Sequence, residues 1–320
     1  MESQYNALPN LHIIKEKISY FNPFDYLKVI NFFKGSKIDA VTDFTGNFAG
    51  LILFCAKRAG VQKRISFYRG ATDHFKEDLF RNLYNNFVKK VTLKYATNIL
   101  SNSIAAFNNY FQNWEKSEKF KVIYNGVNAS KFELSDEDNL RQDFKIPSSA
   151  FIVGHVGRYN IAKNHNTIMD VARELIKRHN DIYFILCGNG VRENLTQFVK
   201  DYNLQNQIFL FENRTDIPRF INTMDCFFFP SITEGQPNAL VEAMIMGKPF
   251  VASNIESIKE MVAPTNYKYL FPPQDRNAFI IELEKLFLKR PTKDVNLKQF
   301  AINKFNHEIL FQEFFIIIDK

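Results

Sequence analysis

The sequence predicts an α/β protein with two Rossmann-like, doubly wound domains facing a cleft and a C-terminal helix packing back across both. Three observations predict the class. Short β-like runs alternate with helical patterns along nearly the whole chain, the signature of parallel sheets with helices on their faces. The later strands are continuous apolar runs such as DCFFFPS, residues 225–231, as strands buried on both faces require. At 320 residues the chain exceeds what one core usually serves.

The elements follow in order. LHIIKEKI is a β-like run, FNPFDYLKVINFFKGSK a helix, IDAVTDF a strand, NFAGLILFCAKRAG a helix and KRISFYRG a strand. A long amphipathic stretch, KEDLFRNLYNNFVKKVTLKYAT, precedes NILSNS, AAFNNYF and KVIYNG. The polar segment 126–148 carries Pro147 near its end and reads as the interdomain connection. A second series then begins with AFIVGHVGRYN and alternates through IYFILCGNG, QIFLFEN and DCFFFPS. After it comes EGQPNALVEAMIMGKPFVAS, residues 234–253. Pro237 suits a first helical turn, and Gly247 with Pro249 supplies a stop, so a helix over 237–246 and a further strand are expected. Residues 296–320 read as one helix. The expected division is therefore 1–128, 129–295 and 296–320.

Bulk composition excludes several classes. Hydrophobic content of 46% with 23% charged residues is globular, with no repeat, no low-complexity tract and no membrane-length apolar run. The start MESQYNALPN lacks the basic-then-apolar order of a signal peptide, so a cytoplasmic protein is expected. Cys55, Cys187 and Cys226 sit in apolar runs without paired spacing, and the histidines form no HExxH pattern; buried free thiols and no protein metal site are expected. Residues 1–128 carry 18 Lys and Arg against 10 Asp and Glu, and the remainder 23 against 24. The basicity therefore belongs to the first half. It reads either as a solvated surface or as one for anionic headgroups at the inner membrane face; nucleic acid is not expected.

The chemistry concentrates at loops that end strands on one edge of the second sheet, where open parallel sheets bind ligands. The first loop holds Gly157, Arg158 and Lys163, the second is CGNG, the third ENRTD, and the fourth contains Glu234. Two cations, glycines that let backbone approach a ligand, and a helix N-terminus suit a diphosphate. Each also has a plainer reading: a surface ion pair for Arg158 or Lys163, a shaped turn for Gly188 and Gly190, and a core histidine for His155.

VGRYNIAKNH, CGNGVREN, the run from ENRTD through GKPFVAS, and IYNGVN resemble the motifs of the retaining family 4 glycosyltransferases of GT-B fold, of bacterial surface-polysaccharide type. The resemblance implies that Arg158 and Lys163 bind a donor diphosphate and that Glu234 faces the donor sugar. It further implies that Glu242 binds the ribose hydroxyls, that backbone N–H groups of Gly235, Gln236, Asn238 and Ala239 hold sugar and phosphate oxygens, and that Asn213 and Arg214 border the base. Gly157 lies in the same donor site. Arg69 and His74 occupy a loop where relatives often present a histidine, although the usual His-Gly pattern is missing. No GG or GxG occurs before Gly35, so the first domain is expected to lack the usual first strand and glycine-rich loop. The function implied is metal-independent, retaining hexosyl transfer from a nucleotide diphosphate sugar, a UDP-sugar first among candidates, to a glycan or lipid-linked acceptor in polysaccharide biosynthesis. It needs no cofactor beyond that co-substrate. The alternative is a catalytically weak nucleotide-sugar-binding subunit that needs a partner.

Overall fold

The structure, a computed structural model, describes residues 5, 8–19, 22–70 and 79–319, with backbone alone for 79–82. The chain separates into two compact units, residues 1–67 with 77–99, and residues 68–76 with 100–320.

In the first unit, helix α1 (Pro23–Gly35) begins where the Asn22 side chain accepts the Phe24 N–H and Pro23 fixes the first turn. Strand β1 (Ala40–Asp43), helix α2 (Gly50–Ala59), strand β2 (Lys63–Tyr68), helix α3 (Leu79–Tyr95) and strand β3 (Asn98–Ser101) follow. β1 and β2 pair in parallel, Ala40 opposite Lys63, and the four-stranded sheet runs β1-β2-β3-β4, with β4 at Phe120–Val122. The strand expected at LHIIKEKI does not form; residues 11–19 lie outside regular structure, with Leu11, Ile13 and Ile14 exposed. Period-2 patterning yields a strand only where its backbone joins a ladder, and among the described residues this segment does not pair with the open outer edge of β1.

The second unit contains helix α4 (Ile104–Tyr110), then β5 (Phe151–Val156), α5 (His165–Arg178), β6 (Ile182–Cys187), α6 (Val191–Asp201), β7 (Ile208–Phe211) and α7 (Ile217–Thr223). β8 (Cys226–Phe229), α8 (Asn238–Ile245), β9 (Phe250–Ser253), α9 (Glu256–Lys259), β10 (Leu270–Phe271) and α10 (Arg276–Lys289) complete the series. Six parallel strands run β10-β9-β8-β5-β6-β7, the doubly wound order expected. Alternation sorts the strand residues between two cores. Ile152, Phe227 and Phe229 face one side of the sheet; Phe151, Val153, Cys226 and Phe228 face the other. All three cysteines are free and buried.

Segment 126–148 is not a loose connection. Leu140 and Ile146 enter the core, the Leu140 N–H donates to Thr223 Oγ1, and Arg141 pairs with Asp225 at 2.6 Å. The C-terminal stretch expected as one helix is two, α11 (Val295–Lys304) and α12 (His307–Asp319), broken at Phe305 and Asn306. The break has a physical cause. The Phe305 carbonyl accepts the Val127 N–H at 2.9 Å, and Gly126 packs so closely that a Cβ there would lie 2.4 Å from His307 Cα.

Candidate active site

The four loops lie at the carboxyl ends of β5 to β8 and are sewn together by backbone. Gly157 N–H donates to Cys187 O and Tyr159 N–H to Asn189 O, both at 2.8 Å, which fastens the first loop to CGNG. The approach is so close that a Cβ on Gly188 would stand 2.1 Å from the Gly157 carbonyl oxygen. Ile232 N–H donates to Ala162 O at 2.8 Å, drawing the fourth loop onto the first. Asn164, in the left-handed region at φ 57° before α5, donates from its side chain to Pro230 O and Pro273 O. Asparagine suits this position because it tolerates that backbone and carries a short amide.

Those contacts bring Lys163 to Glu234. Lys163 Nζ donates to Glu234 Oε1 at 2.6 Å, both side chains are largely buried, and the ammonium stands 4.7 Å from the Phe229 ring centroid. The two residues given separate tasks above therefore form one charge-assisted pair. Arg158 is exposed, and no carboxylate among the described residues pairs with it. One cation is engaged and the other is open to an anion.

The turn before α8 offers donors. Among the described residues the N–H groups of Gly235, Gln236 and Ala239 find no protein acceptor, whereas Asn238 N–H already donates to Gln236 O at 3.0 Å. The Gln236 side chain holds the turn in place: its Oε1 accepts from Asn125 N–H at 2.6 Å and its Nε2 donates to Asn125 O at 2.9 Å. Asn125 Nδ2 also donates to Asn238 Oδ1 at 3.1 Å. Glu242, one turn into α8, has no side-chain hydrogen bond among the described residues, and burial raises its carboxyl to about 7. A carboxylate in that position gains from hydroxyl donors.

A third carboxylate, Glu212 at the head of the ENRTD loop, has no role assigned from the sequence. Glu212 Oε2 accepts from Gly190 N–H at 2.8 Å, and its Oε1 from Arg192 and Glu193 N–H. These bonds hold Glu212 below its ordinary value, the Gly190 N–H foremost. The N-terminus of α6 is thus already capped by the protein, whereas the α8 turn keeps open amides. Arg214 is bound bidentately to Asp216 at 2.8 and 2.6 Å and stands over the Phe144, Phe211 and Phe220 rings, while Asn213 is exposed beside it. Arg69 has an exposed side chain, and its carbonyl oxygen would meet a Cβ on Gly235 at 2.5 Å, so it borders the same turn. His74 lies outside the described residues. His155 is a core histidine, as read, with Nδ1 bonded to Phe228 O at 2.9 Å. Among the described residues no group of three or more His, Cys, Asp or Glu could hold a metal ion.

Lys248 is a further residue that its sequence context did not mark. It is buried, and its Nζ donates to Asn222 O and Met224 O at 2.7 Å, closing the end of α7; burial lowers its ammonium to about 8. Its task is structural.

The family model for glycosyl transferases group 1 matches residues 136–304, just over half of the chain and every loop of this site but that at Arg69 and Asn125. The chain belongs to the group 1 glycosyl transferases. It is 30% identical over 244 residues to the capsular polysaccharide biosynthesis glycosyltransferase CapH of Staphylococcus aureus, covering 75% of this chain and 65% of that one. To the putative glycosyltransferase EpsF of Bacillus subtilis it is 27% identical over 241 residues, 71% of this chain and 59% of the other. The chain spans between 40% and 65% of the length of the first curated relatives it matches. Among solved structures, Anabaena Alr3699/HepE in complex with UDP superposes with a TM-score of 0.80 at 21% identity, covering 92% of this chain and 82% of that one. WaaG, a glycosyltransferase involved in lipopolysaccharide biosynthesis, gives 0.74 at 15%, covering 95% and 85%. This group 1 transferase therefore has the GT-B fold.

Proposed function

We propose that this group 1 transferase moves a sugar from a nucleotide diphosphate sugar, a UDP-sugar, to a hydroxyl of a growing glycan or lipid-linked acceptor in polysaccharide biosynthesis. The reading extends to transfer that keeps the anomeric configuration and needs no metal ion. The observation that carries it is the Lys163–Glu234 pair on loops that also hold the exposed Arg158, which has no carboxylate partner among the described residues, and the Gly235, Gln236 and Ala239 amides, which have no acceptor among them. Cations on the first loop and free N–H groups on the α8 turn, loops joined by the Ile232–Ala162 bond, suit a diphosphate, and a carboxylate at the same turn suits sugar hydroxyls. The capsular and lipopolysaccharide relatives and the UDP complex of Alr3699/HepE support the same reading.

In the proposed reaction the bond from the anomeric carbon to the diphosphate oxygen breaks and the nucleoside diphosphate leaves with the electron pair. The acceptor oxygen bonds to that carbon on the same face and gives its proton to the departing phosphate. Arg158 and Lys163 stabilise the charge that develops on the diphosphate, Glu234 orients the sugar, and Glu242 holds the ribose hydroxyls. Gly157 lets the diphosphate approach the loop, while Asn213 and Arg214 border the base, with Asn238 and Arg69 at the rim of the turn. No helix among the described residues is long and apolar enough to cross a membrane. The basic first 128 residues would serve peripheral contact with anionic lipid on the cytoplasmic side.

A donor screen by product release and by calorimetry on one preparation tests the function. Turnover of a nucleotide diphosphate sugar in excess EDTA, with product NMR reporting the donor's anomeric configuration, is expected. An inverted product or a strict divalent-metal requirement would overturn the reading. Binding without turnover would assign the chain as a nucleotide-sugar-binding subunit instead.

A further inference from the structure

Two buried imidazoles lie beside the Gly157–Lys163 loop and take no part in the reaction above. His155, on β5, is 1% exposed, and His165, the first residue of α5, is 2% exposed. Their rings meet edge-on with centroids 5.1 Å apart. His155 stacks on Phe229, the ring that carries the Lys163 ammonium, at 5.6 Å. His165 lies 5.1 Å from the Tyr159 ring and faces the Gly157 and Asn160 backbone, yet among the described residues neither of its nitrogens completes a hydrogen bond of good geometry. His155 Nε2 is likewise without a partner among the described residues, although a Cβ on Gly157 would be 2.8 Å from it. Burial, followed by the charge of Lys163, lowers His165 to about 4, so its ring is neutral and carries one N–H donor and one acceptor.

A leucine or phenylalanine would fill this space without an orphaned polar atom. A buried nitrogen with no partner is costly and calls for one in another state of the protein. The segment within reach of the ring supplies it. Gly157 and Asn160 flank Arg158, and the Asn160 side chain accepts the Lys163 N–H at 3.0 Å, so this backbone sets the position of both cations.

We propose that His165 is a positioning residue for the diphosphate loop: when an anion is drawn onto Arg158 and Lys163, the loop settles and the His165 ring donates its N–H to the Gly157 or Asn160 carbonyl. Anion binding and the order of the loop are thereby coupled through a side chain that never touches the ligand. His155 supports the ring from behind, held by its own bond to Phe228 O.

The inference rests on the donor reading above, and the test separates the two. Calorimetric titration of the parent with UDP, ADP and GDP comes first, and binding of none of them would overturn both readings. Given binding, His165→Phe is expected to weaken nucleotide affinity about tenfold or more with the melting temperature kept, and His165→Gln, which retains a donor, to recover most of it. Parent-like affinity of His165→Phe overturns the positioning role alone. Equal losses in both variants together with lowered melting temperatures would mean that the ring is only packing, and would overturn it too. Imidazole nitrogen NMR of the unaltered protein gives a second readout independent of any variant. The shift of the protonated His165 nitrogen should move on nucleotide addition, and an unmoved signal in a saturated sample contradicts the proposal.

Discussion

Replacing Glu242 by glutamine should change how stability depends on pH, with the sign set by burial. The folded carboxyl titrates at about 7 and the unfolded one at 4.5, so the folded state holds this proton more tightly. The stability that the protonated group contributes is fully present below the unfolded value and is lost as pH rises through the folded one. From about pH 5.5 to about pH 7 the folded protein's excess of bound protons over the unfolded chain falls from about one to about one half. At about 1.36 kcal/mol per proton and pH unit, the loss accumulated by about pH 8 is about 2 kcal/mol. Glutamine keeps the shape and cannot ionise. Urea unfolding of parent and Glu242→Gln at about pH 5.5 and about pH 8 should show the variant gaining about 2 kcal/mol relative to the parent across that interval. A stability difference that stays constant with pH would refute the argument. The same geometry predicts linked proton release: if ribose hydroxyls bind the carboxylate, nucleotide binding near pH 7 should expel a proton, and calorimetry in buffers of different ionisation enthalpy would detect it.

Other expectations concern the pair, the loop contact and the basic half. Lys163→Ala should weaken donor binding by about 1.5–3 kcal/mol, the scale of a hydrogen bond to a charged group, while Glu234→Gln should abolish transfer and leave donor affinity within a few fold. Because the two side chains are bonded at 2.6 Å, their effects on folding stability should be non-additive, and strict additivity in a double-mutant cycle would contradict the pair. Gly188→Ala places a Cβ 2.1 Å from the Gly157 oxygen and should destabilise the protein and displace the Arg158 loop; a melting temperature and nucleotide affinity equal to the parent's would argue against that contact. Vesicles with anionic lipid should sediment the protein and release it in salt, since each surface lysine contributes about 1 kcal/mol over a Debye length of about 8–10 Å. Replacing the exposed Lys34, Lys57 and Lys90 by glutamate should weaken that binding, and equal binding to neutral vesicles would remove the electrostatic basis for it.

The sequence by itself determined much of this protein because its information is local. Pro237 and Gly247 bracket a helix realised at Asn238–Ile245, and the continuous apolar runs became the buried strands of a six-stranded parallel sheet. Period and punctuation act within a few residues and survive any tertiary arrangement. The same local signal failed at residues 11–18, where β-like patterning did not join the sheet, and at Phe305, where a contact from Gly126 and Val127 splits one helix into two. Only the tertiary structure decided how the site's charges are used. Lys163 and Glu234 are 71 residues apart, and nothing in the spacing tells whether they are bonded or independent. Glu212 caps α6 from 22 residues beyond Gly190, and Gln236 grips Asn125 across 111 residues. Desolvation is likewise a property of surroundings: Glu242, His165 and Lys248 read as ordinary ionisable residues until the packed units around them set which charge each can carry.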